Sequence, residues 1–152
     1  MRRYLTIIAL AAIFLFGVVA YGVYREPTAT LAETQGLRTI QLKGQTIRVS
    51  VADTGASRER GLSGRRALAQ DEGMLFVFPK DGKYAFWMKD MHFPIDILWL
   101  AADGGVVYMA QNVSPDSFPR TFRPDVLARY VLELPAGYAK EYNITIGDRA
   151  TF

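Results

Sequence analysis

Hydrophobic positions fall into two unlike regimes along this chain. Leu5 to Tyr24 (LTIIALAAIFLFGVVAYGVY) is an unbroken run of twenty residues without a charge, with Arg2 and Arg3 just before it across Tyr4. At 1.5 Å of rise per residue such a run makes about 30 Å of helix, the thickness of a bilayer's hydrocarbon core. Hydrocarbon also demands a helix, because each backbone N–H and C=O must find its partner within the segment. The pattern predicts a transmembrane helix preceding the folded body, with the arginine side in the cytoplasm. The body is then periplasmic or extracellular and tied to the inner (cytoplasmic) membrane by a single pass. The alternative is a signal segment cleaved to release a secreted domain. Either reading delivers the remaining chain across the membrane.

From Ile40 onward apolar residues come in short bursts with period two. Ile40 to Val51 (IQLKGQTIRVSV) alternates on both sides of Lys43 to Gln45, which predicts a hairpin turning there. Met74–Phe78, Ala85–Met88, Ile95–Leu100, Val106–Met109 and Tyr130–Leu134 are further strand candidates, and Ala101–Gly105 reads as the turn of a second hairpin. Between them, Asp53 to Ala69 (DTGASRERGLSGRRALA) loses the β-branched pattern. Thr54 or Asp53 can cap a short helix that Gly61 ends, with a second turn expected over 65–69 and another over Tyr138–Tyr142. Residues 110–127 hold three prolines and read as a long loop, of the kind that is functional or crosses the domain. The expected fold is mainly β, a small barrel-like sandwich with one or two short helices. The organisation is a membrane anchor or signal segment over 1–24, a linker over 25–39 and a β domain over 40–152.

Composition narrows the chemistry. Outside Arg2 and Arg3 the chain carries 16 basic against 15 acidic residues, so no global field draws nucleic acid. With no cysteine, thiol catalysis, cysteine metal sites and disulfides are excluded, and a domain of this length is held by packing. No phosphate loop, dinucleotide fingerprint or G-x-S-x-G nucleophile occurs, and no cofactor is implied. His92 is the only histidine, and the spacing of acids around it does not demand a metal.

Four segments in order, VADTGASRERGLSGR (51–65), DEGMLFVFP (71–79), FWMKDMHFPIDILWL (86–100) and RYVLELPAG (129–137), resemble the DUF192 family of prokaryotic proteins of undefined biochemical role, often exported or anchored. The resemblance covers essentially the whole folded region, and it implies a small, mainly β, barrel-like fold. The chain departs from the family's usual pattern at Asp90, where Asn is common, at Ser63, where Met is common, and in lacking a cysteine pair in the long loop.

The corner Trp87, Lys89, Asp90, His92 and Asp96 offers a flat indole, a cation and several acids in one turn, suited to a small anionic or sugar-like ligand held through Lys89 and Trp87. The same residues also read as the architecture of a tight β corner, with Trp87 and Met88 in the core and Lys89 paired with Asp90 or Asp96. Asn112 and Arg120 in the long loop are further ligand-binding candidates, placed where the loop can lie over Trp87. Arg58, Arg60, Arg65 and Arg66 form a basic patch that can meet an anionic surface or an envelope protein, or simply be a solvated helix face. These observations predict a membrane-tethered cell-envelope binding or accessory domain, partnered with the membrane through residues 5–24. The alternative is a small envelope hydrolase using Asp90, His92 and Asp96, which requires His92 in a cleft within reach of a carboxylate.

Overall fold

The structure, a computed structural model, describes residues 37–152. The anchor expected over 5–24 and most of the linker lie outside the described residues. Among the described residues no helix is long and apolar enough to cross a membrane.

Strands β1 (Leu37–Leu42) and β2 (Gln45–Ala52) form the expected hairpin, in register from Leu37↔Ser50 to Leu42↔Gln45. Lys43 and Gly44 both have positive φ at its turn, the backbone twist that two-residue hairpins need. Helix α1 (Gly55–Arg60) starts at Thr54, whose hydroxyl accepts from Ser57 N while Ser57 Oγ accepts from Thr54 N. It ends at Gly61, with φ of 50°. The second turn expected over 65–69 is not helical. Gly64 takes a φ of 76° and its N–H turns outward to Asp90 O, at 2.9 Å, which diverts the chain from a helical path.

The 53–71 segment is a crossover, because β3 (Glu72–Gly82) returns parallel to β2. Strands β5 (Ile95–Leu100), β6 (Val106–Val113) and β8 (Ala128–Pro135) are antiparallel to their neighbours, and β5 and β6 are joined by the expected turn. Short β4 (Phe86–Trp87) and β7 (Thr121–Phe122) pair with each other as a separate ribbon. Helix α2 (Tyr138–Glu141) and β9 (Ala150–Thr151) complete the chain. The main sheet runs β6-β5-β8-β3-β2-β1-β9. The domain is therefore mostly β with two short helices, as expected, but it is built on one curled seven-stranded half-barrel rather than two matched sheets. At one end the sheet's edges meet: Val106 N donates to Asp148 O and Ala150 N to Gly104 O, at 2.8 and 2.9 Å. Gly104 has a φ of 84°, and a Cβ there would collide with the Ala150 carbonyl.

Alternation sorts the central strands into two cores. Leu98, Leu100, Leu75, Leu132 and Leu134 face the hollow of the sheet with Ile40, Ile47, Val49 and Tyr138. Ile95, Ile97, Trp99, Phe76, Met74 and Val131 face outward, under Leu62 and Met88. Strand β5 is buried at all six positions, which is why its sequence is apolar almost throughout. The expected structureless loop over 110–127 is partly ordered: β6 extends to Val113, a 3-10 turn spans Pro115–Ser117, and β7 follows.

Candidate functional site

A carboxyl group within an apolar strand needs a partner, and the two acids of this kind meet opposite fates. Asp96 lies on the hollow side of β5, fully buried, and accepts from Asn112 N, Gly137 N and Ala139 N at 2.6, 3.2 and 2.8 Å. It thereby fastens the start of α2 and the end of β6 to the central strand. Glu133, on the outward face of β8 opposite Met74 and Ile97, is 5 % exposed. Its Oε2 has no hydrogen-bond partner among the described residues. Burial pushes its carboxyl up to about 8, against the lowering effect of the positive charge of Arg65, so the neutral form is favoured at pH 7.

Glu133 lines a cleft of about 250 Å³ on the outward face. Two segments build the walls. On one side α1 and the 61–63 turn bring Arg58, Arg60 and Leu62, and on the other the stretch from Tyr84 to Met91 brings Phe86, Trp87 and Lys89. The segments are stapled together, because Ser63 Oγ donates to Lys89 O at 3.0 Å and Gly64 N to Asp90 O at 2.9 Å. The staple needs positive φ at Asp90, 56° here, a conformation that Asn and Asp tolerate better than most residues. This gives the Asp90 position a backbone reason for its residue type. Strand alternation then turns Met88 into the core and leaves Trp87 53 % exposed.

Aromatic packing stiffens the floor. Phe78 stacks on Tyr84 at 3.5 Å between ring centroids, and Phe86 stands edge-on to both Phe76 and Trp99. Trp99 donates its indole N–H to Tyr84 O at 2.9 Å. Arg58 lies over Phe78 and donates to the Asp53 and Val77 carbonyls at 2.6 and 2.8 Å, which pins α1 to the sheet. Arg60 and Lys89 are exposed and make no salt bridge among the described residues.

The residues singled out from the sequence divide among several places. Trp87 and Lys89 join Arg60 at the cleft mouth, and Asp90 adds to a shallower depression continuous with it. Phe118 of the long loop packs on Trp87, with ring centroids 6.1 Å apart, so the loop does reach that corner. Asn112 and Arg120 line a different depression beside β6, where Arg120 covers Phe122. His92 is exposed and belongs to neither lining. Asp96 points into the other core, with both oxygens engaged, so Asp90, His92 and Asp96 do not share one cleft. Of the basic patch, Arg58 is committed to the fold, Arg65 donates to Ser50 Oγ at 3.1 Å, Arg60 faces the cleft and Arg66 is exposed. Among the described residues no cluster of three or more His, Cys, Asp or Glu side chains is arranged to hold a metal ion.

Glu133 was not among the residues drawn from the sequence. Its signal is its setting, an acid flanked by leucines in YVLELP, within a strand covered on both faces.

The DUF192 sequence profile, described as an uncharacterised group (Uncharacterized ACR), matches residues 38–152. A crystal structure of a candidate transcription regulator from Sinorhizobium meliloti 1021 is 36 % identical, with a TM-score of 0.69, over 76 % of this chain and 90 % of that one. A protein of unknown function from Novosphingobium aromaticivorans DSM 12444 is 27 % identical, with a TM-score of 0.73, over 76 % and 85 % of the two chains. No curated protein of assigned function matches.

Proposed function

Because the chain belongs to the DUF192 family, whose description assigns no reaction, its role has to be argued from its own cleft, and we propose that it is a binding or accessory domain of the cell envelope. Residues 5–24 hold it at the outer face of the cytoplasmic membrane, and a small anionic ligand occupies the cleft between α1 and the Tyr84–Met91 segment. The observation that carries this reading is Glu133, a buried carboxyl with an unpartnered oxygen in the wall of an open, aromatic-lined cleft. Burying a carboxyl without a partner costs stability, and the cost is understandable where a ligand supplies the partner. The mouth adds selectivity, since Arg60 and Lys89 favour an anion and Trp87 offers a flat apolar face.

A transcriptional role, suggested by the description of the Sinorhizobium relative, has little support in this chain's near-balanced charge.

The test uses benzoate as the simplest aromatic anion. Replacing Arg60 and Lys89 together by glutamate reverses the charge of the mouth, and the reading expects at least tenfold weaker binding by calorimetric titration. Unchanged affinity contradicts the cleft as the site. Recovery of the full-length chain in the alkaline-washed membrane fraction, with its domain accessible to protease from the outer side, tests the tether. A chain found entirely in the soluble cytosol contradicts it.

A further inference from the structure

The cleft's charge and hydrogen-bonding pattern specify more than an anion, given that it is the ligand site proposed above. Its mouth and its wall ask for different groups. Arg60 and Lys89 at the mouth stand with two acids, Glu59 and Asp90, and Arg58 adds a third cation, so the balance of charge there still favours a negative end on the ligand. The interior is lined by Leu62, Phe76 and Phe86, which favours a flat apolar body. Glu133 breaks the apolar lining, and its unpartnered oxygen needs a polar group brought by the ligand.

An ammonium is a poor candidate for that group, because Arg58, Arg60 and Lys89 line the same cleft and repel it. A second carboxylate is equally poor, since it would bury an anion in an apolar wall away from the cations of the mouth. A hydroxyl suits the position, because it can both donate to a carboxyl oxygen and accept from a protonated one. Size limits the remainder. At roughly 30 Å³ for each water-sized group, a cleft of about 250 Å³ holds about eight such groups, the scale of a single ring with small substituents.

We propose that the cleft selects a small hydroxylated aromatic anion, with its hydroxyl hydrogen-bonded to Glu133 and its carboxylate held between Arg60 and Lys89. Glu133 is then the specificity-determining residue of the site. Its contribution is discrimination between ligands that share ring and charge and differ only in the hydroxyl, a distinction that a polar group buried without a partner enforces strongly.

The experiment compares 4-hydroxybenzoate with benzoate on the full chain purified in detergent micelles. In the native protein 4-hydroxybenzoate binds at least tenfold more tightly by calorimetric titration. In Glu133→Leu, which removes the unpartnered carboxyl and keeps an apolar wall, the two ligands bind within about twofold of each other. A second measurement needs no variant: with glutamate carboxyls carrying 13C, the Glu133 resonance moves on adding 4-hydroxybenzoate and stays in place with benzoate. Equal affinity of the native protein for the two ligands, a preference that survives Glu133→Leu, or an unmoved Glu133 resonance overturns the assignment of Glu133 while leaving the cleft as an anion site. Absence of binding by both ligands overturns the assignment and the cleft reading together.

Discussion

Replacing Glu133 by glutamine removes a titratable group without changing the volume it fills, and the consequence for stability follows from its burial. The folded carboxyl titrates at about 8 against an ordinary value of 4.5, with desolvation as the largest cause. Its folded pKa lies above the unfolded one, so the contribution of the neutral form is fully present below pH 4.5 and is lost as pH rises through about 8. At 1.36 kcal/mol per tenfold change in proton activity, the loss reaches about 3 kcal/mol by pH 7 and levels near 5 kcal/mol above pH 8. The amide stays neutral throughout, so the Glu133→Gln protein lacks this slope and gains on the native protein steadily from pH 5 to pH 8. Urea unfolding followed by tryptophan fluorescence measures the difference directly, because the chain's two tryptophans, Trp87 and Trp99, both lie in the β domain. Parallel stability profiles for the two proteins would mean that the Glu133 carboxyl is not raised by burial.

Further substitutions probe the frame around the cleft. Asp96→Asn leaves three backbone N–H donors sharing one acceptor oxygen, and thermal unfolding should show a loss of about 3 kcal/mol. Gly104→Ala drives a methyl group into the Ala150 carbonyl at a positive-φ turn, and a destabilisation of about 2 kcal/mol or more is expected in denaturant titrations. Thr54→Ala removes the capping-box hydroxyl, with an expected cost of about 1 kcal/mol in the same assay and weaker binding in the cleft that α1 lines. Arg48→Ala breaks exposed ion pairs with Asp71 and Glu72, and the same titrations should show little change at physiological salt.

The hairpin of β1 and β2, the span of β5 and the capped α1 could be read from the chain because each rests on local rules: period two about a turn, an apolar run of strand length, and a capping residue with a terminal glycine. Pairing between distant segments could not. Nothing local in Glu72–Gly82 says that it returns parallel to β2, and the curl of one sheet emerges only when β9 meets the start of β6. The candidate site divided along the same line. Trp87 and Lys89 reach the cleft mouth because their turn is compact, and Arg60 joins them through the staple between 63–64 and 89–90. Asp96 was prominent through its proximity in sequence to His92, but strand alternation sends its side chain into the other core. Glu133 carries no such local signal, because one acid in a strand resembles an outward-facing residue until both faces of that strand are known to be covered.

Whether the outward cleft beside Glu133 receives a small anion is decided by mapping backbone amide shifts of the labelled protein as 4-hydroxybenzoate is added. Saturable changes concentrated at Gly61 to Ser63, Trp87 to Lys89 and Glu133 are expected. Changes confined to the Asn112 to Arg120 depression, or none at all, would contradict the cleft as the site.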